Sequence, residues 1–296
     1  MKLAIHTSYK STSADIWQGD AIEFLEKVQP NSISLVISSP PYFMGKEYDR
    51  SHSPADFVAQ HERLFPLMVR AIKPGGSLCW QVGHHVKNGR AIPLDALVYG
   101  VAAKHEELIL RNRIVWMFNH GVHCSKRFSG RHETVLWFTK GDNYTFDLDA
   151  VRVPQKYPGK RHYKGPRKGE WSGNPLGKNP GDVWDIPNVK ARHVEKTDHP
   201  CQFPTALVRR FVCAVTNPGD LVADPFLGSG TTCIVALLEQ RNFLGCEIEQ
   251  KYLQISKTRI DDIRNGLLRV RPDKPVRSPR EGEAVSVTPP HFASHR

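Results

Sequence analysis

Residues 221–247 read LVADPFLGSGTTCIVALLEQRNFLGCE, and they carry the strongest indication of the fold. The apolar run 221–223 predicts a strand, and the glycines in 228–230 predict a turn with freedom for positive φ. Helical spacing of apolar residues follows over 231–238, and a second strand is predicted over 243–246. The order strand, glycine-rich turn, helix, strand is typical of a ligand-binding unit in an α/β sheet.

The charges of this unit indicate its ligand. A cap from Ser229 or Thr231 leaves backbone N–H groups at the start of the helix. The segment from Asp224 to Gln240 contains no Lys or Arg, which argues against a polyphosphate and a Walker loop. Glu247 follows the second strand and is placed to accept both hydroxyls of a ribose. A zwitterionic amino-acid nucleoside is therefore favoured over a dinucleotide, with a purely structural turn as the alternative.

Length and composition bound the class of protein. The 296 residues suffice for one large α/β domain or two modest ones. Lys and Arg number 41 against 30 Asp and Glu, which suits a polyanionic partner without requiring one. Six scattered cysteines without a C-x-x-C pair indicate reduced thiols rather than disulfides or zinc ligands. With no apolar signal core and no long apolar run, a cytoplasmic protein is expected.

A second informative stretch is Ser39-Pro40-Pro41-Tyr42, which directly follows a predicted buried strand over 33–37. Two consecutive prolines stiffen this turn and remove two N–H donors, so its carbonyls point outward where α/β sheets bind ligands. The Ser39 hydroxyl and the Pro40 carbonyl can accept protons from an amino group, and Tyr42 offers a flat face. An ordinary Pro-rich loop with a surface tyrosine is the alternative.

Helices and strands alternate along the rest of the chain, which predicts a doubly wound, mostly parallel α/β sheet. Asp20 is expected to cap a helix over 21–28. A second role for Asp20 at the edge of the ligand site is also assigned, although the spacing alone does not support it. Further helices are predicted at 53–72, 92–110, 205–215 and 250–267, and further strands at 78–82, 114–118 and 134–138.

The two motifs together carry a family resemblance. SPPY at 39–42 and DPFLGSGTT at 224–232 resemble the catalytic and cofactor motifs of the amino-methylating DNA methyltransferases that use S-adenosylmethionine. The catalytic motif comes first, which is similar to the permuted class called beta, and the resemblance covers roughly residues 15–262. It implies a Rossmann-like methyltransferase fold, S-adenosylmethionine as the methyl donor, double-stranded DNA as the substrate, and a bacterial or archaeal cytosol.

The resemblance also implies roles for individual residues. Catalysis falls to Ser39, Pro40, Pro41 and Tyr42, with Tyr42 stacking on a base flipped out of the duplex. The segment 197–204 resembles the family's His-Pro-x-x-Phe-Pro element, which closes over the methionine end of the cofactor; a simple turn before a helix is the alternative. No metal is required. The expected cofactor-binding residues are Asp20, Gln202, Phe203, Pro204, Asp224, Pro225, Phe226, Gly228, Ser229, Gly230, Thr231, Thr232 and Glu247.

Two basic segments are predicted to contact DNA. Residues 119–133 include His120, His123 and Cys124, but their irregular spacing favours phosphate contacts, or a solvated loop, over a metal site. In residues 151–198 aromatic side chains are interleaved with basic ones, which favours a loop-rich target-recognition region over a disordered linker. The expected DNA-binding residues are Lys126, Arg127, Arg131, His132, Lys160, Arg161, Lys164, Arg167 and Lys168.

The predicted organisation has four parts: a catalytic part over 1–150, the recognition region 151–198, a cofactor-binding part over 199–268, and a disordered tail over 269–296. Ser39 resembles the cytosine-N4 enzymes, whereas aspartate predominates in the adenine-N6 enzymes. Cytosine-N4 methylation in a restriction-modification system is expected, with a cognate endonuclease and a homodimer among the partners. Adenine-N6 methylation, a non-catalytic DNA-binding relative and an RNA or protein methyltransferase stay open.

Overall fold

A nine-stranded sheet forms the centre of the protein. The computed structural model describes residues 1–42, 53–87, 89–118, 121, 123–157 and 159–272. Its strands are β1 (Lys2–Tyr9), β2 (Thr12–Gln18), β3 (Ile33–Ser38), β4 (Ile72–Val82), β5 (His84–Lys87), β6 (Arg90–Pro93), β7 (Leu108–Met117), β8 (His132–Lys140), β9 (Val183–Asp185), β10 (Leu221–Asp224) and β11 (Asn242–Glu247). Its helices are α1 (Ala21–Lys27), α2 (Pro54–Ala71), α3 (Leu94–Ala102), α4 (Thr205–Val215), α5 (Thr231–Leu238) and α6 (Gln250–Arg264).

The strand order in the sheet is β1-β2-β11-β10-β3-β4-β8-β7-β9. The five strands from β2 to β4 in this order run parallel to one another. The sheet continues antiparallel through β8 and β7, while β1 is an antiparallel edge and β9 joins β7 in parallel. The prediction of a mostly parallel α/β sheet is confirmed. Strands β5 and β6 form a separate hairpin.

The central strands are buried because helices cover the sheet. All six residues of β3 are buried, which is the pattern of a parallel strand covered on both faces. Phe57, Leu64 and Phe65 of α2 pack with Trp80 of β4 in the main hydrophobic core. Each such side chain contributes about 1.5–3 kcal/mol when it leaves water. This packing gives the ends of the parallel strands a rigid support.

Helix starts follow local chemistry. The Asp20 side chain caps α1 by accepting from Ile22 N at 2.8 Å, as predicted. The predicted caps of α5 are wrong: its N-cap is Gly230 at φ 79°, without a side-chain cap. The predicted cap residues instead use their oxygens elsewhere, because Arg259 donates to the Ser229 carbonyl at 2.7 Å and to Thr231 Oγ1 at 3.0 Å.

The predicted helix over 92–110 is wrong at both ends. Strand β6 includes Ile92, and α3 ends at Ala102. Residues 108–110 belong to β7. Three successive apolar residues are compatible with the period of a helix or of a strand, and pairing with β8 makes this segment a strand. The β1–β2 hairpin was not predicted, since the mostly exposed β1 lacks a clear apolar alternation. Helix α6 ends at Arg264, three residues before the predicted end.

The chain divides into two compact units. The first comprises residues 1–146 and 182–271, and it contains the whole nine-stranded sheet. The second includes residues 147–181, whose described part is loop-rich, with a 3₁₀ turn at Asp149–Val151 and single β-bridges at Val153–Lys178 and Arg161–Trp171. Most of the predicted tail, from residue 273 onward, lies outside the described residues. Within the described part, no helix is long and apolar enough to cross a bilayer.

Candidate active site

The two sequence motifs meet because β3 and β10 are neighbours in the sheet. Val222 pairs with Leu35 in parallel, so both strands end at the same edge. Beyond that pairing, Ser38 Oγ donates to Asp224 Oδ1 at 2.5 Å. The proline turn after β3 and the glycine-rich turn after β10 therefore lie side by side, where α/β sheets bind their ligands.

One pocket at this edge contains most of the residues predicted for catalysis and cofactor binding. Pro204 and Gly230 do not line it. Sequence reasoning missed several lining residues, including Gly19, Gln60, His199 and Tyr252; of these, only His199 lay in a recognised motif. The predicted residues that line the pocket are Asp20, Ser39, Pro40, Pro41, Tyr42, Gln202, Phe203, Asp224, Pro225, Phe226, Gly228, Ser229, Thr231, Thr232 and Glu247.

The glycine-rich turn is shaped by two residues in the left-handed region. Gly228 has φ 55° and Gly230 has φ 79°, which L side chains adopt only with strain. A Cβ on Gly228 would lie 2.9 Å from His199 Nε2, and a Cβ on Gly230 would lie 2.8 Å from Ser256 Oγ. Ser256 of α6 also stabilises the turn, because its Oγ donates to the Gly228 carbonyl at 3.0 Å.

Asp224 is a buried carboxylate that organises both turns. Besides Ser38, it accepts from Thr232 Oγ1 at 2.6 Å and from Phe226 N at 3.0 Å. Burial raises the pKa of Asp224 to about 6, while these three donors oppose the rise. Its hydrogen bonds join β3, β10 and α5, so Asp224 positions the walls of the pocket.

Glu247 stands at the end of β11 on the same edge. Its Oε2 accepts from Gly228 N at 2.8 Å, and its Oε1 accepts from the N–H groups of Ile248 and Glu249 at 2.8 and 2.9 Å. Burial raises its pKa, and the three N–H donors oppose that rise. Oε1 thus already accepts two hydrogen bonds, whereas Oε2 accepts one and keeps one lone pair for a ligand hydroxyl.

The charge of the pocket fits a cationic ligand. Asp20, Asp224 and Glu247 line it, and none of the described lining residues is Lys or Arg. Burial and nearby cations lower the pKa of His199 to about 4, so this side chain is neutral at pH 7. Such a pocket favours a sulfonium and disfavours a polyphosphate. No cluster of metal ligands occurs among the described residues.

The proline turn leads into a chain of side-chain hydrogen bonds. Ser39 Oγ lies 3.2 Å from the Tyr42 hydroxyl, which donates to Gln81 Oε1 at 3.0 Å. Gln81 Nε2 in turn donates to Glu133 Oε2. Burial raises the pKa of Tyr42 well above its usual range, so its hydroxyl keeps its proton. Glu133 was not among the predicted site residues, although Arg131 and His132 were and the triplet 131–133 resembles the family's segment beside the target-base pocket.

The predicted DNA-binding residues do not line the pocket. Lys126, Arg127 and His132 are exposed, and Arg131 is half-buried, on or beside the loop before β8. In the second unit the Arg161 guanidinium stacks over the Trp171 ring at 4.3 Å. His120 lies outside the described residues. The five predicted basic residues of the second unit, all exposed, are Lys160, Arg161, Lys164, Arg167 and Lys168.

The fold and the pocket define an S-adenosylmethionine-dependent methyltransferase that modifies amino groups. Residues 33–258 match the model of the N6/N4 methyltransferase family described as DNA methylase. The chain belongs to this family of DNA methyltransferases.

Curated relatives support the assignment. The chain is 46% identical over 242 residues to the type II methyltransferase M.BglII of Bacillus subtilis, covering 81% of this chain and 67% of that protein. It is 32% identical over 260 residues to the DNA adenine methyltransferase YhdJ of Escherichia coli K12, covering 86% and 85%.

Solved structures give the same result for the fold. The PvuII DNA methyltransferase (cytosine-N4-specific) matches with a TM-score of 0.70 and 23% identity over 90% of this chain and 95% of that chain. TTHA0409 of Thermus thermophilus, a putative DNA modification methylase complexed with S-adenosylmethionine, matches with a TM-score of 0.61 and 26% identity, covering 87% and 99%.

Proposed function

We propose that the protein is a site-specific methyltransferase of the restriction-modification type, which transfers a methyl group to cytosine N4 in duplex DNA. The observation that supports this most is the Ser38–Asp224 hydrogen bond of 2.5 Å, because it sets the Ser39 turn beside the predicted cofactor motif. One pocket then contains both the acceptors for an amino group and the acidic walls that suit a sulfonium.

The chemistry asked of the protein is modest. The lone pair of an exocyclic amino group is delocalised into its ring, so the free group is a poor nucleophile. Ser39 Oγ and the Pro40 carbonyl accept its two N–H bonds, which orients the nitrogen and favours its pyramidal form in the transition state. When bound, S-adenosylmethionine supplies an electrophilic methyl group. Neither acceptor has to act as a strong base.

The residues of the pocket divide the work of binding. Glu247 accepts from the ribose of the cofactor through Oε2, while Gly228 allows close approach to the backbone. Gln202 and Phe203 line the same pocket and cover the methionine end. Tyr42 stacks on the target base after that base leaves the duplex, since its amino group is paired inside the helix.

The basic residues predicted for DNA binding in the two units contact the phosphate backbone. Lysine and arginine bind phosphates without reading sequence, whereas stacking and base-edge contacts identify the site. The interleaved aromatic and basic residues of 147–181 suit the second task, and the Arg161–Trp171 pair exemplifies them. A cognate endonuclease and a homodimer are further expected partners, to be tested by genomic context and by sedimentation.

A second candidate is adenine-N6 methylation. It is favoured by the similarity to YhdJ, whose name specifies adenine. The serine at position 39 favours cytosine, because aspartate predominates at this position in the adenine enzymes that the motif resembles. Both bases present an exocyclic amino group, so the same acceptors can serve either.

The deciding experiment is methylation of plasmid DNA with purified protein and labelled S-adenosylmethionine. The product is digested to nucleosides, identified by mass, and mapped at single-base resolution. N4-methylcytosine at one short site is expected, and N6-methyladenine would replace the cytosine assignment. Parallel reactions contain RNA and protein extracts: label in these alone, or in no substrate, would contradict the proposal of a DNA methyltransferase.

A further inference from the structure

Ser39 is connected to Glu133 through two intervening side chains. The chain runs from Ser39 through the Tyr42 hydroxyl and the Gln81 amide to the Glu133 carboxylate. Gln81 is buried and lies on β4, while Glu133 lies on the neighbouring strand β8. The link therefore crosses between two strands of a rigid sheet.

The direction of each hydrogen bond follows from Glu133. An ionised carboxylate accepts only, so the Gln81 NH₂ group has to face it. The Gln81 side-chain oxygen Oε1 then faces Tyr42, which donates its single proton there at 3.0 Å rather than to the Gln81 main-chain oxygen at 3.5 Å. The contact between Ser39 and Tyr42 is consequently made by the Ser39 proton. Both lone pairs of Ser39 Oγ are then available as acceptors on the side of the pocket.

We propose that Glu133 is a positioning residue for methyl transfer: acting through Gln81 and Tyr42, it fixes Ser39 as a hydrogen-bond acceptor toward the target amino group. This inference rests on the proposed function, because Ser39 has to act as an acceptor only if the substrate presents an amino group. Glu133 itself need not touch the base or the cofactor, and it does not line the pocket.

Protonation of Glu133 reverses the direction of the hydrogen bonds between Glu133 and Ser39. A neutral carboxyl group can donate to the Gln81 oxygen, so the amide can turn over and donate to Tyr42. Tyr42 then donates to Ser39, whose own proton points at the amino group that it should accept from. Burial raises the pKa of Glu133 to about 7, and the Lys190 charge partly opposes this rise. Methyl transfer is therefore expected to fall as pH decreases through about 7.

The other charged groups near this chain are few among the described residues. Lys190 faces Glu133, Cys201 lies close enough to Tyr42 to act on it electrostatically, and His132 is the exposed neighbour of Glu133 on β8. Asp224 also lines the pocket side of this site, and its pKa is raised to about 6, so its protonation can cause a second fall in the methylation rate at acid pH. The test must therefore compare the pH–rate profiles of several variants with that of the wild type.

The first test is a double-mutant cycle with Glu133→Gln and Tyr42→Phe, using single-turnover methylation of DNA at pH 8. Glu133→Gln should lower the rate about 5- to 10-fold, the value of one hydrogen bond, without changing the Kd of S-adenosylmethionine. In the Tyr42→Phe background, which cuts the chain, Glu133→Gln should have no further effect. Equal losses in both backgrounds would overturn the proposal, as would a change in DNA affinity at unchanged rate.

The pH profile and a control variant complete the test. Glu133→Gln should lose the acid limb near pH 7, whereas Glu106→Gln, on an exposed turn, should match the wild type. Persistence of the limb in Glu133→Gln would contradict the inference. Thermal unfolding of each variant shows whether it is folded.

A third readout does not depend on catalysis. NMR of the ¹³C-labelled Glu133 carboxyl group and of the Gln81 side-chain amide should give one shared pH midpoint. If the wild type transferred no methyl group while the midpoints coincided, the hydrogen-bond chain would stand and the proposed function would fail. Different midpoints in an active enzyme would overturn the role of Glu133.

Discussion

Ser38 donates a hydrogen bond of 2.5 Å to Asp224, a residue 186 positions later in the chain. Both side chains are buried at the ends of neighbouring parallel strands. The bond ties the start of the proline turn to the start of the glycine-rich turn. It therefore holds the proposed acceptors for the amino group beside the proposed cofactor site.

Variants of the adjacent residues Ser38 and Ser39 should separate cofactor binding from methyl transfer. Ser39→Ala removes the proposed acceptor for the target amino group, so we expect turnover to fall about 100-fold while the Kd of S-adenosylmethionine changes less than about 2-fold. Ser38→Ala removes a donor to Asp224, so its main effect should be weaker cofactor binding. Calorimetry and single-turnover kinetics measure both quantities. Equal losses of binding and turnover in both variants would mean that the roles are misassigned.

Replacement of Glu247 should affect cofactor binding first. Glu247→Ala removes the carboxylate that accepts from Gly228 N–H and that we propose binds the ribose, so we expect the Kd to rise about 10- to 100-fold. At saturating S-adenosylmethionine the turnover should stay within about 3-fold. Glu249→Ala is the matched control, because Glu249 does not line the pocket. A large loss of turnover with unchanged binding would refute this role.

His61 should make the protein acid-sensitive. It is fully buried, its Nδ1–H donates to the Phe57 carbonyl at 2.7 Å, and its Nε2 accepts from Trp80 at 3.0 Å. Burial lowers its pKa to about 4, so protons bind the unfolded chain preferentially below pH 6.5. The resulting stability is present at neutral pH and is lost as pH falls, by about 2 kcal/mol at pH 5.

Urea unfolding at pH 7.5 and pH 5 measures this loss. His61→Gln should be less stable than the wild type at pH 7.5, and the difference should shrink by a similar amount at pH 5. His199, whose pKa is also lowered to about 4, is present in both proteins and cancels. A difference that stays constant with pH would show that His61 does not titrate as described.

The second unit should account for much of the salt dependence of DNA binding. Replacing the exposed Lys160, Lys164 and Lys168 by Ala should weaken binding to all sequences and reduce the slope of log K against log salt by about 2–3, nearly one per phosphate contact. Fluorescence anisotropy over a salt series measures the slope. A control with Ala at Lys2, Lys27 and Lys257, exposed in the first unit, should keep the slope. Equal changes in both would contradict the prediction.

Local sequence patterns predicted most elements of the fold. The cap at Asp20, the strand beginning at Ile33 and the helix Thr205–Val215 follow from side-chain chemistry and apolar spacing within a few residues. The prediction failed where a short segment fits two structures. Residues 108–110 are apolar in succession, and only pairing with β8 makes them a strand.

Local residue patterns are sufficient to predict three units: a proline turn after a buried strand, a glycine turn that tolerates positive φ, and an acidic residue after the next strand. Their meeting in one pocket does not follow from those patterns, because strand order and register depend on packing between distant segments. The same holds for Gln81 and Glu133, which meet through the pairing of β4 with β8. The spacing of these two residues in the sequence does not predict their contact, because the contact depends on how the strands pair in the sheet.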